Sequence, residues 1–197
     1  MLPLGNAASA ASPFGKEFIG HRATVGERLW LRVRGSFSGG EGDPMKEDIV
    51  VSLAWEEDMR DIWEWRNHPD IRKNFFNTAV VPWDEHQRWF ERKISDSRCR
   101  IYIARRGEEK VGVIRFEAEG DGAQVSVHLN PACMGQGLGS RVIRAGTEQF
   151  LKEIGAITVI ARIIKGNLAS VKAFAKAGYR RFSEDKDVLT YRYPDDF

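Results

Sequence analysis

Cysteine is scarce: Cys99 and Cys133 are the 2 in a chain of 197 residues. Two thiols make neither a disulfide framework nor a zinc set. They read as reduced thiols of a cytoplasmic protein. Cys133 has no evident His or Asn partner nearby, so it reads as structural rather than nucleophilic. Histidine is scarce too. His21, His68, His86 and His128 are the 4 present, and no two form an H-x-x-x-H pair, so no metal site is expected. Charge of one sign is lacking: 30 basic against 28 acidic residues leave +2, with the two signs interspersed. That excludes nucleic-acid binding by bulk electrostatics. No apolar run is long enough to span a bilayer, and Met1 to about Asp43, rich in Ala, Ser and Gly, lacks the apolar h-region of a signal peptide. The partners expected therefore include neither nucleic acid nor membrane.

What is present suits one globular domain with a sizeable core, with 42% hydrophobic and 29% charged residues. Residues 1–44 read as a poorly patterned tail, apart from a short candidate strand at Leu29 to Val33, and 45–197 as the domain. There is no internal repeat.

The most informative stretch is Met134-Gly135-Gln136-Gly137-Leu138-Gly139-Ser140. Glycine at every second position removes side chains where a ligand must approach backbone. Ala123 to Leu129 before it alternates as a strand does, and Leu138, Val142, Ile143, Thr147, Phe150 and Leu151 after it recur at helical spacing. Strand, glycine loop and helix N-terminus together make an anion site. A Walker loop needs Lys followed by Ser or Thr after the last glycine, and Gly139 is followed by Ser140-Arg141. A dinucleotide fingerprint starting at Gly135 needs glycine where Ser140 stands. A phosphate or pyrophosphate of another kind of ligand remains, beside a turn that binds nothing.

The loop resembles the R/Q-x-x-G-x-G/A signature of the GNAT N-acetyltransferase superfamily. Gly137 and Gly139 take the two small positions, and Met134 stands where Arg or Gln is usual. Asn167-Leu168-Ala169-Ser170 through Lys176-Ala177-Gly178-Tyr179 is similar to the N-x-x-S-x-x-x-x-x-K-x-G-[FY] segment of the same superfamily. Asn167 reads as a helix N-cap and Gly178 as a C-terminal stop. The resemblance covers about Asp48 to Tyr193.

The element order agrees with it. A strand at Asp48 to Leu53 precedes a helix from Glu56 to Asn67 with Met59, Ile62 and Trp63 on one side. His68-Pro69 breaks that helix. A second helix runs from Trp83 to about Ser95, with Trp89, Phe90 and Ile94 as its apolar face. Strands at Arg100 to Arg105, Lys110 to Glu117 and Ala123 to Leu129 follow, then the loop and its helix. A buried strand at Ile157 to Ile163, the Asn167 helix, and strands at Tyr179 to Phe182 and Asp187 to Tyr193 close the chain. This predicts an α+β fold, a mixed and mostly antiparallel central sheet flanked by helices.

The resemblance implies an acetyl-CoA-dependent transfer to a primary amine of a small molecule by a monomer or homodimer. It puts backbone groups of Val127, His128 and Leu129 on the pantetheine arm, and Met134, Gly135, Gln136, Gly137, Leu138, Gly139, Ser140 and Asn167 on the cofactor. Many members carry a tyrosine where Phe174 stands, and a related branch carries the serine found at Ser170, a candidate acid beside its reading as a capping residue. The glutamate that many relatives use as base is replaced by Gln124, and His128 lies on the same strand face. A histidine can titrate near neutrality, but a strand histidine can also be simply packed, and a water chain or an amine arriving neutral are further routes. Trp65-Arg66-Asn67-His68-Pro69 with Ile71-Arg72, then Trp83 and His86, resembles the corresponding segment of acetyltransferases acting on nucleotide-linked amino sugars. Arg66, Asn67 and Arg72 are the candidate substrate residues there, while Trp63 and Trp89 read as core. Enzymes that acetylate protein N-termini carry a similar segment. An N-terminal or antibiotic-directed acetyltransferase and a non-catalytic acyl-CoA-binding module therefore stay open.

Overall fold

The computed structural model describes residues 48–194. The expected N-terminal tail, its candidate strand at Leu29 to Val33, and His21 lie outside them. Among the described residues there are seven strands: β1 (Ile49–Leu53), β2 (Cys99–Arg106), β3 (Glu109–Glu119), β4 (Gly122–Leu129), β5 (Val159–Ile164), β6 (Arg180–Asp185) and β7 (Val188–Tyr193). The helices are α1 (Met59–Asn67), α2 (Pro69–Arg72), α3 (Trp83–Ile94), α4 (Leu138–Ile154) and α5 (Leu168–Lys176). One sheet runs in the order β1-β2-β3-β4-β5-β7-β6. Every neighbouring pair is antiparallel except β4 and β5. This is the mixed α+β sheet that the element order implies.

Strand alternation sorts the central side chains onto two faces. On β3, Ile114 and Phe116 join the core under α4 and α5, where Phe116 and Phe150 stack with centroids 4.3 Å apart. Val113 faces the other way, into a second core with Met59, Ile62, Trp65, Phe90, Ile101 and Ile103 under α1 and α3. Gly146 lets α4 lie close on the sheet: a Cβ there would come within 2.6 Å of Ile114 Cγ2.

Two helix faces differ from expectation. α1 buries Met59, Ile62 and Trp65, while Trp63 is half-buried and donates its indole N–H to the Val81 carbonyl at 2.7 Å. Both tryptophans fit a 3.6-residue period next to Ile62, and the indole N–H settles which one stays at the rim, because it needs an acceptor. α3 buries His86 and Phe90. Ile94 continues that row but falls in the last turn and stays 37% exposed.

One ion cluster ties the first helical segment to the sheet. Lys110 Nζ on β3 lies 2.7 Å from both Asp58 Oδ1 and Asp61 Oδ2. Asp58 is 2% exposed, and its second oxygen accepts the Trp55 N–H at 2.9 Å. Lys110→Ala strands that carboxylate without its cation. Breaking such a pair from one side costs about 3 kcal/mol, so the urea midpoint should fall markedly with the slope unchanged.

Candidate active site

β4 and β5 are paired over a short stretch: Ala123 to Val125 of β4 lie beside Val159 to Ala161 of β5. Beyond it β4 continues to Leu129 while β5 stays paired with β7. A gap therefore opens between the two parallel strands. The Ala123 N–H donates across to the Thr158 carbonyl at 2.9 Å, so odd-numbered residues of β4 point their backbone groups towards β5. Past Val125 those are Val127 and Leu129, which face the gap unpaired. His128 points its backbone the other way, towards its β3 partner Val113. This corrects the expectation for His128 backbone while leaving Val127 and Leu129 where a pantetheine arm could add a strand.

The glycine loop sits at the wide end of this gap. Asn130 turns the chain, its side chain accepting from the Ala132 N–H, and Met134 follows in extended conformation, 40% exposed. Gly135 and Gly137 adopt left-handed φ of 76° and 71°, a conformation costly for residues with a Cβ. Gln136 is held by Arg106 Nη1 at 3.1 Å and the Ala132 carbonyl at 3.2 Å. Gly137 is the N-cap of the 17-residue α4, and no side chain caps it. The first amides of that helix are thus left for a ligand. Leu138 and Ser140 are buried beneath them, and Gly139 packs towards Ala173 of α5. An open cradle of backbone donors beside an unpaired strand edge fits the pyrophosphate and amide-rich arm of acetyl-CoA.

α5 begins at Asn167, whose Oδ1 accepts the Ser170 N–H at 3.1 Å. The capping is done by Asn167, and the Ser170 hydroxyl makes no hydrogen bond among the described residues. Phe174 is buried edge-on to Tyr179, with centroids 5.0 Å apart. The Tyr179 hydroxyl is enclosed, 2.8 Å from Thr147 Oγ1, and burial pushes its ionisation far up.

On the opposite face of the sheet lies a cavity of about 530 Å³. Ser126 and His128, the β4 side chains on either side of Val127, form part of its wall, with Ile101, Val113 and Arg115 from the sheet. α1 and α3 supply Arg66, Glu85, Arg88, Trp89 and Arg92, and the loop between α2 and α3 supplies Phe75 and Val81. Four arginines thus face one carboxylate. Arg115 lies over the Trp89 ring at 5.2 Å and Arg66 over Phe75 at 4.0 Å.

His128 is half-buried, and its Nε2 is shut off from solvent with no hydrogen-bond partner. Its desolvation, with Arg66 next in effect, holds its pKa down to about 3 against a backbone hydrogen bond to Ile62. With its pKa held that low, His128 is poorly suited to the proton-taking role expected of it, while a neutral ring can still take part in a hydrogen bond. Gln124 does not take that role either. Its side-chain oxygen contacts Arg162, which also grips Glu119 at 2.5 and 2.8 Å and holds that carboxyl below the usual range.

The three candidate substrate residues anchor the loop after α2. Asn67 donates to the Val81 carbonyl at 2.9 Å and accepts the Val81 N–H at 2.8 Å. Arg66 Nη2 donates to the Asn77 carbonyl at 2.6 Å, and Arg72 Nη1 lies 3.4 Å from that of Thr78. Arg66 also lines the cavity, whereas Asn67 and Arg72 shape its wall from behind. Sequence reasoning missed Arg88, Arg92, Arg115 and Ser126. The signal was present: Arg88 and Arg92 share a helical row, and Ser126 shares strand parity with His128.

No helix among the described residues is long and apolar enough to cross a membrane. Neither cysteine forms a disulfide, and both are buried, their thiols pushed up to about 11.

Known proteins share this fold. Acetyltransferase PseH of Campylobacter jejuni is 26% identical over 127 residues, 64% of this chain and 79% of that protein. The structure of C. jejuni PseH in complex with acetyl coenzyme A superposes with a TM-score of 0.59 at 18% identity, over 75% of this chain and 99% of that one. That of AAC(6')-Ib with paromomycin and acetyl-CoA gives 0.65 at 20% identity, over 74% and 92%. The acetyltransferase (GNAT) domain model matches residues 50–180. The chain therefore belongs to the GNAT family and is an N-acetyltransferase with acetyl-CoA as its acyl donor.

Proposed function

We propose that the acceptor is the primary amine of a small molecule carrying phosphate, a nucleotide-linked amino sugar. The observation that carries this reading is the cavity beside β4, where Arg66, Arg88, Arg92 and Arg115 surround aromatic surfaces of Phe75 and Trp89. Guanidinium groups match phosphate oxygens, and aromatic faces accept a base or a sugar. The resemblance of the Trp65 to Arg72 segment to amino-sugar acetyltransferases agrees with it. Aminoglycosides and polyamines carry several positive charges and suit this wall less well: Glu85 is its one lining carboxylate, and although Arg88 pairs with Asp84 and Arg115 lies near Glu117, Arg66 and Arg92 add further positive charge.

Each half of the site has its own work. The backbone of Val127 and Leu129 and the amides of Met134 to Ser140, with Asn167 fixing the facing helix, hold acetyl-CoA, which supplies the acetyl thioester. The arginines orient the acceptor so that its amine lies at the β4–β5 gap, which supplies proximity. The amine releases its proton to water, since His128 is poorly suited to take it and Gln124 cannot. Ser170 gives a proton to the departing sulfur.

Purified protein with acetyl-CoA and a panel of amines tests this: a UDP-linked amino sugar, kanamycin, spermidine and a peptide with N-terminal alanine. We expect kcat/KM for the UDP sugar to exceed the others by about 10²-fold, a margin of a few charge-assisted contacts. Preference for kanamycin, spermidine or the peptide overturns the proposal, and absence of product with every amine points to an acyl-CoA-binding module.

A further inference from the structure

The glycine loop is tied at two points to the turn between β2 and β3. Arg106 ends β2 and Glu109 begins β3, and the hairpin register sets them opposite each other. Arg106 Nη1 donates to Gln136 Oε1 at 3.1 Å, across 30 residues of sequence. Its Nη2 donates to Glu109 Oε2 at 2.6 Å. The other oxygen of that carboxylate accepts from the Cys133 thiol at 3.3 Å, across 24 residues. These side chains form one run of hydrogen bonds, Gln136 to Arg106 to Glu109 to Cys133, that leaves the loop and returns to it. Arg106 first, then Cys133, holds the Glu109 carboxyl below the usual range, so near neutral pH it accepts at both oxygens.

This arrangement adds little to stability. Arg106 and Glu109 form a surface pair, their side chains 21% and 46% exposed, and such pairs contribute little to folding. Its effect falls on conformation instead. Gln136 stands between Gly135 and Gly137, both left-handed, and glycine has the widest choice of backbone conformations to lose. A loose loop must be ordered when its ligand binds, which weakens affinity unless the protein has ordered it beforehand. The Gln136 side chain is pinned at Arg106 and at the Ala132 carbonyl, 3.2 Å from its Nε2, and that fixes the residue between the two glycines. No side chain caps α4, so the aim of its first amides depends on the backbone of this loop.

We propose that Arg106 is a positioning residue for acetyl-CoA, holding the glycine loop through Gln136 in the form that receives the pyrophosphate, while Glu109 fixes its guanidinium from the other side. This rests on the reading of the loop as the cofactor cradle. A guanidinium does this where an ammonium does not, because its planar fork serves Glu109 with one nitrogen and Gln136 with another. Direct attraction of the pyrophosphate by the same charge is the alternative, and variants separate the two.

Titration calorimetry with coenzyme A itself needs no acceptor amine. Arg106→Ala and Gln136→Ala should each weaken binding by about 5- to 10-fold. The double variant should lose no more than about 2-fold beyond the worse single one, because both break one link. Arg106→Lys keeps the charge without the fork and should bind within about 2-fold of Arg106→Ala. The melting temperature of Arg106→Ala should stay within about 2 °C of the unaltered protein. With the best amine of the panel its kcat should stay within about 2-fold, the loss appearing in KM for acetyl-CoA. Unchanged affinity in either alanine variant overturns the proposal, as does a fall of many degrees in the melting temperature of Arg106→Ala. Additive losses in the double variant, or full affinity in Arg106→Lys, also overturn it and assign Arg106 to the ligand by its charge. Gly137→Glu checks the reading beneath: if it loses coenzyme A while Arg106→Ala keeps it, the brace fails and the cradle stands, and if both keep it, both fail.

Discussion

Gly137→Glu should remove acetyl-CoA binding, with a loss of at least about 10²-fold in affinity by titration calorimetry, while the domain stays folded. Gly137 has φ +71°, and a Cβ built there meets no atom within 4 Å. A side chain is therefore opposed by backbone strain alone, roughly 1–2 kcal/mol, which a 147-residue folded region (48 to 194) can absorb. The carboxylate would sit over the uncapped amides of α4, where a negative charge is favoured by the helix dipole. It would hold those donors itself and repel a pyrophosphate arriving at the same place. Gly137→Ala separates strain from charge. It carries the same φ penalty without a carboxylate and should lose less than about 10-fold. Unchanged affinity in Gly137→Glu would sink the assignment of the loop. Equal losses in both variants would move the cause from charge to backbone conformation.

The loop and caps of the proposed cofactor half were legible in the sequence because these devices are local. Left-handed Gly135 and Gly137, the strand-ending Asn130-Pro131 and the Asn167 cap each act within a few residues, so spacing along the chain carries their geometry. The acceptor half was not, because its wall is assembled from α1, α3, three strands and a loop. Asn67 shows why. Its residue type fits a substrate contact, but both its amide groups are used by Val81, 14 residues on, and no local pattern records that turn. His128 fails in a related way. Alternation places it on the acceptor face, while its basicity depends on burial and on the Arg66 charge brought in by α1. The Trp63 and Trp65 assignments changed because the period of a helix leaves a choice that the Val81 carbonyl makes.

Ser170→Ala should slow turnover with a good amine by at least about 10²-fold, the lower end of what general acid help contributes, while acetyl-CoA affinity changes by less than about 2-fold. The separation follows from the local geometry. The helix cap is made by Asn167 Oδ1 on the Ser170 N–H, a backbone bond that alanine keeps. The hydroxyl itself is bonded to nothing among the described residues. Other donors on this side of the gap are poor. Phe174 has no proton to give and is buried edge-on to Tyr179. Tyr179 is 1% exposed with its hydroxyl against Thr147, so a phenolate there would be costly and the proton is not free to move. Ser170→Thr keeps a hydroxyl on the same helix face and should recover most of the rate, since Thr is tolerated one turn into a helix with a modest propensity cost. A loss of kcat with KM for acetyl-CoA unchanged marks an interaction made in the transition state. Normal turnover in Ser170→Ala would leave water as the proton source for the sulfur, and the serine would then be an ordinary residue of the first turn of α5.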